Sequence, residues 1–169
     1  SRWLGTAWKA DTILLMPSIL VLVAGGIGHR TLGPVSAFTR AIGVVIKDFT
    51  TVQPLLMGIL MGIAFGLLIV SPISTVGIAT AITLAGIGAG SANLGVVGAQ
   101  FALTVYGWSA NSFGTSIAPF LGSPKMQMAN IFSRPKLFLP ILINAGIMGG
   151  IGALFRIQGT PMSAGFGFA

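Results

Sequence analysis

The chain has 169 residues, 54% of them hydrophobic and only 7% charged, with a net charge of +7. Soluble domains carry about 25% charged residues, so a conventionally hydrated surface is excluded. The absence of Cys excludes a disulfide framework, thiol chemistry and a Cys-built metal site. A nucleic-acid partner is excluded too, because the nine Lys and Arg are scattered between apolar runs and form no basic stripe.

Residues Ser1–Ala10 hold Arg2, Trp3, Trp8 and Lys9, the basic and indole groups favoured at a headgroup interface. Asp11 and Thr12 can cap a helix. Thr12–Gly28 is then uncharged for 17 residues and reads as a first, short span, with a kink or early break expected at Pro17. From Arg30 to Asp48 the pattern changes. Val35, Phe38, Ile42, Val45 and Ile46 recur at spacings of three and four, with Arg40 and Lys47 elsewhere on the wheel, which predicts an amphipathic helix in the interface.

The stretch Phe49–Pro124 holds no charged side chain and no His for 76 residues, room for roughly three crossings at about 20 residues each. Val52–Val70 is its clearest span, opened by Pro54 in the first turn and closed by Ser71-Pro72. Gly58, Gly62 and Gly66 lie four apart, a face that lets a neighbouring backbone approach. Ile73–Gly90 is the next span, and Leu94–Tyr106, only 13 residues with Gln100 inside it, reads as a re-entrant segment. Trp108–Pro135 is polar and broken by Pro119 and Pro124. Leu137–Phe155 is the last span, with Pro140 in its first turn and glycines at 146, 149, 150 and 152.

The expected fold is therefore an all-α polytopic integral membrane protein. It has about four transmembrane helices, one interfacial amphipathic helix and one re-entrant segment, forming a single membrane domain over residues 1–169 that is a piece of a longer protein. Arg30–Lys47 and Lys125–Lys136 both favour the cytoplasmic side, which asks for an even number of crossings between them. Pro54 and Pro140, and Gly66 and Gly152, share one offset, but two matches in so biased a composition carry little weight for an internal repeat.

The inventory for catalysis is nearly empty: two acids, Asp11 and Asp48, and one His, His29, all at membrane edges. No catalytic residues, metal ligands or cofactor are expected, and the chain does not read as an enzyme. Gly86, Gly88 and Gly90 suggest a phosphate loop, but no Lys-Ser/Thr follows and no strand precedes, so helix packing is the better reading. The polar groups within Ser91–Ser116 are more informative, since an unsatisfied one costs several kcal/mol in lipid. Asn93, Gln100, Asn111, Ser112 and Thr115 can donate and accept hydrogen bonds to a hydroxyl-rich solute, and Tyr106 or Trp108 can stack on a sugar ring. The alternative is that the same amides only lock helices together.

The runs PLLMGILMGIAFGLLIVSPISTVGIA (Pro54–Ala79), AGIGAGSANLGVVGAQ (Ala85–Gln100) and NSFGTSIAPFLGSPKMQMAN (Asn111–Asn130) resemble bacterial membrane proteins classed as phosphotransferase-system enzyme IIC-like, sugar permease relatives. The resemblance runs from about Ile42 onward. It implies a many-helix permease fold with re-entrant hairpins near the substrate, often as a homo-oligomer, in the bacterial cytoplasmic (inner) membrane as a multi-pass protein. It also implies a separate phosphorylating subunit as partner, beside the lipid bilayer. The Glu and His near the sugar in better-known permeases have no counterpart here. The resulting expectation is a permease-like component that binds or translocates a small neutral polar solute. The rival is a non-transporting sensor or assembly subunit.

Overall fold

The structure is a computed structural model that describes residues 12–167, with side chains from Val21 onward. The interfacial group Arg2, Trp3, Trp8, Lys9 and the Asp11 cap lie outside the described residues. The chain divides into two compact units, Ser1–Phe38 and Thr39–Ala169. A helix, α1 (Thr12–Asp48), supplies the described part of the first unit and the opening of the second. In the first unit Val21, Leu22, Ile27, Leu32, Val35 and Phe38 are all exposed.

The expected division of this region into a span, Thr12–Gly28, and a separate interfacial helix, Arg30–Asp48, is overturned: α1 runs unbroken for 37 residues. Gly25 and Gly26 each weaken a helix by about 1 kcal/mol relative to Ala, but they keep their N–H donors, so the hydrogen-bond ladder continues. Pro17 removes a single donor and does not end the helix.

In the second unit, three helices carry the core: α2 (Pro54–Ile69), α4 (Gly86–Gly107) and α7 (Phe138–Leu154), with α3 (Thr75–Ala81) between the first two. Their contacts fix the directions. Gly58 faces Ser91, Gly62 faces Gly95 and Gly66 approaches Ala99, so α2 and α4 run parallel. Gly58 meets Gly149 and Ala153 while Gly66 meets Ala145, so α7 runs against both. Side chains are absent where backbones touch: a Cβ on Gly95 would lie 2.6 Å from the Gly62 carbonyl oxygen, and one on Gly149 would lie 2.7 Å from Gly62 Cα. Met61, Phe65, Val96 and Ile141 fill the space around this seam.

Because α2 and α4 are parallel, the chain between them must travel back. It does so through α3 and then a four-residue link, Ile82–Ala85, that begins with a turn at Ile82–Thr83 and is extended at Ala85. Ser74 caps α3 by accepting from Gly77 N at 3.0 Å. The Leu84 N–H closes α3 onto Ala79 O at 2.9 Å, with Thr83 at φ 51°. The expected span Ile73–Gly90 is thus two pieces, broken by an αL corner that a Thr does not advertise. The expected re-entrant segment Leu94–Tyr106 is overturned as well. It is continuous with residues 86–93 in a helix of 22 residues, roughly 33 Å long at 1.5 Å per residue.

The even-crossing count falls with it. Entering α2 at one end, the chain goes across, returns through α3 and its link, and goes across again in α4. Asp48–Gln53 and Lys125–Lys136 therefore lie at opposite ends of the three-helix body.

After α7 the chain repeats the device. Ile157 N–H bonds Gly152 O at 2.9 Å, Arg156 sits at φ 50°, and Thr160 caps a short helix, α8 (Pro161–Phe166). Gly86 and Gly159 exchange two N–H···O bonds of 3.0 Å, an antiparallel bridge that ties the two breaks together. α8 packs antiparallel beside α3, with Thr75 Oγ1 donating to Gly165 O at 2.7 Å. Thus α2–α3 and α7–α8 are each a long helix, a break and a capped short helix. A constant interval of 86 residues relates Pro54 to Pro140, Gly66 to Gly152 and Ser74 to Thr160. The two pairs point in opposite directions.

Candidate functional site

The polar stretch after α4 is folded back onto the C-terminal end of that helix. Gly107 O, one of the carbonyls a helix end leaves without an intrahelical partner, gathers Asn111 N at 3.0 Å, Asn111 Nδ2 at 3.1 Å and Ser116 Oγ at 3.1 Å. These bonds turn the chain into α5 (Phe113–Leu121), whose Phe120 packs on Phe101 of α4 with ring centroids 4.5 Å apart. A short α6 (Met128–Ser133) follows, and Asn130 Nδ2 donates to Gln127 Oε1 at 2.7 Å. Lys125 Nζ donates to Ser71 O at 2.7 Å and Ile73 O at 2.6 Å, which pins the stretch to the break after α2. Burial lowers Lys125 from its ordinary value.

Two cavities result. The first, about 500 Å³, lies between the end of α4, α5, α6 and the start of α7. Its polar lining comes from Tyr106, Asn111, Thr115, Ser116, Gln127, Asn130, Ser133 and Arg134, with Leu103, Leu137 and Ile141 as an apolar floor. The second, about 540 Å³, lies beside α3 and α8 and is lined by Ser74, Thr75, Gln100, Ser123, Lys125 and Gly165 among others. Both fall in the size range of small-molecule sites.

The residues singled out in the sequence do not converge on one point. Asn111 and Thr115 line the first cavity. Ser112 does not; its hydroxyl lies 3.0 Å from that of Thr115. Trp108 is exposed and meets Phe113 edge-on at 5.6 Å, outside the lining, whereas Tyr106 is part of it. Gln100 is buried and lines the second cavity. Asn93 is engaged by the backbone, donating to Ser163 O at 2.6 Å and Gly167 O at 2.9 Å, and Asn144 donates to Gly98 O at 3.1 Å. Ser91 Oγ, fully buried in the glycine seam, makes no hydrogen bond.

Gln127, Asn130, Ser133 and Arg134 escaped the sequence reading because they follow the uncharged run. The signal available was the recurrence of amides and hydroxyls, Ser123, Gln127, Asn130 and Ser133, ahead of Pro135. Among the described residues no cluster of His, Asp or Glu could hold a metal ion.

By length and composition one described helix, Pro135–Leu154, is long and apolar enough to cross a membrane, and Pro54–Ile69 is a shorter apolar helix. Leu139, Ile143, Ile147 and Leu154 of α7 are exposed, an outer surface suited to hydrocarbon. One long apolar helix packed beside interrupted ones is compatible with a membrane protein. The family comparison agrees. A family model described as "Phosphotransferase system, EIIC" matches residues 1–169, and the chain belongs to that family. Its members are membrane components of sugar transport, not catalysts in themselves. No curated protein and no solved structure matches the chain.

Proposed function

We propose that the chain is the membrane-embedded part of a permease that binds a small, hydroxyl-rich, sugar-like solute in the cavity at the end of α4. The supporting observation is the lining of that cavity: Asn111, Thr115, Gln127 and Asn130 supply donors and acceptors beside the Tyr106 ring. In this reading α2, α4 and α7, with part of α1, are the spans of a multi-pass inner-membrane protein, and α3 and α8 are half-length elements. Tyr106 replaces Trp108 as the stacking surface. Asn111 and Thr115 orient solute hydroxyls, while Gln100 belongs to the neighbouring chamber. A separate phosphorylating subunit and a second copy of the chain complete the system.

The test is thermal stabilisation of the full-length protein by neutral sugars, polyols and nucleosides. A ligand at a hundredfold excess over Kd stabilises by about 2.7 kcal/mol. Asn111→Ala removes the shift while leaving a cooperative melt. Asn93→Ala does the reverse: it lowers the melting temperature, as two carbonyls lose their donor at about 1–3 kcal/mol, and leaves the shift in place. A shift that survives Asn111→Ala overturns the assignment. Asn93, bound wholly to backbone, fits the rival role of locking helices, and that reading is kept for this residue alone.

A further inference from the structure

We infer that the solute of the Asn111 cavity carries an anionic group, a carboxylate or phosphate, and that Arg134 is the residue that reads it. The inference rests on the cavity being a solute site and adds the substrate class to that reading.

Arg134 lines the cavity from the end of α6. Its backbone is held in place: the N–H donates to Asn130 O and Ile131 O, both at 3.1 Å. Pro135 follows and keeps residue 134 out of the helical region; its φ is −133° and ψ 74°. The guanidinium keeps its charge at all working pH values and presents a planar fork that matches carboxylate and phosphate oxygens.

Arg134 is an exposed side chain, and among the described residues no carboxylate pairs with it. The sequence has two carboxylate side chains, Asp11 and Asp48. Asp48 stands before α2, at the opposite end of the three-helix body, and among the described residues Arg134 forms no ion pair. The neighbouring cations have other places. Lys125 is tied to Ser71 O and Ile73 O and faces the second cavity, and Lys136 is not part of the lining. The first cavity therefore combines neutral hydrogen-bonding groups with a single positive charge and no acid. That set is complementary to a polyol bearing one oxyanion. It differs from the neutral solute expected from Phe49–Pro124 because its cation enters from beyond that stretch.

An anionic lipid headgroup offers the same oxyanion, so the experiment separates the two sources. Full-length protein in an uncharged detergent without a sugar headgroup is titrated with glucose, glucitol, glucuronate, gluconate and glucose 6-phosphate. In a second arm it is placed in nanodiscs of phosphatidylcholine with or without phosphatidylglycerol.

The expected result is that at least one acidic sugar binds about tenfold or more tightly than its neutral parent, with affinity falling as salt rises. Arg134→Gln brings the acid to the level of its parent and lowers the parent's own affinity far less than the acid's. Arg134→Lys retains part of the preference. Equal binding of acids and parents, or equal loss of both in Arg134→Gln, overturns this inference and leaves the solute site standing. Failure of every sugar to bind overturns the solute site and this inference together. Stabilisation by phosphatidylglycerol that needs Arg134, with no response to sugar acids, assigns the arginine to lipid and overturns the inference.

Discussion

Asn93 and Asn111 are the same side chain in one apolar stretch, yet the fold uses them differently. Asn93 faces α8 and its C-cap, donating to the Ser163 carbonyl of the helix and the Gly167 carbonyl just beyond it. Asn111 lies past the end of α4 and lines an open cavity. The sequence shows that a polar group in this stretch needs a partner, but the partner of Asn93 is backbone seventy residues away and leaves no local trace. Arg134 was hidden for a similar reason, since a cation beside Pro135 reads as an interfacial charge until the cavity is seen. Lys125 gives a prediction at this scale. Burial sets its folded pKa below the ordinary 10.5, so between the two values the folded state holds fewer protons than the unfolded. Stability then rises with pH across that window and is lowest below it, where the ammonium is charged in both states. Melting temperatures from pH 7 to 10 rise more steeply for the native protein than for Lys125→Met; parallel curves contradict the assignment.

The elements were legible where periodicity and composition decide. Val52–Val70 and Leu137–Phe155 correspond to α2 and α7 within three residues at each end, because an apolar run bounded by proline or charge leaves few options. The breaks were not legible. Thr83 and Arg156 hold positive φ angles that sequence patterns assign to Gly or Asn, so the stop between α3 and α4 carried no mark, and the helix 86–107 was cut at the wrong place. The glycines are read more directly from contact. At Gly95 the Gly62 backbone fills the space a side chain would occupy. Gly95→Val forces α2 and α4 apart and costs about 1–3 kcal/mol as overpacking. By contrast Gly114, with no neighbour within 4 Å of its Cβ position, accepts Ala within about 0.5 kcal/mol. Thermal melts of the two variants check the contrast.

For the whole molecule, membrane class and family were evident from composition and resemblance, while topology was not, because counting apolar runs cannot tell a full traverse from a return made by seven residues of helix and a four-residue link. The observed directions place Thr50 and Asn130 at opposite ends. In this Cys-free chain, Thr50→Cys and Asn130→Cys are expected to react with an impermeant thiol reagent from opposite faces of sealed vesicles; labelling from one face alone contradicts the traverse in α4. The paired breaks have a further consequence, for mutational tolerance. Ser74 and Thr160 cap helices of seven and six residues in the same way, each accepting an N–H three positions on. Ser74→Ala and Thr160→Ala should therefore cost about 1 kcal/mol each. Melting temperatures of the two single variants are expected to fall by similar amounts; unequal losses contradict the equivalence of the two caps.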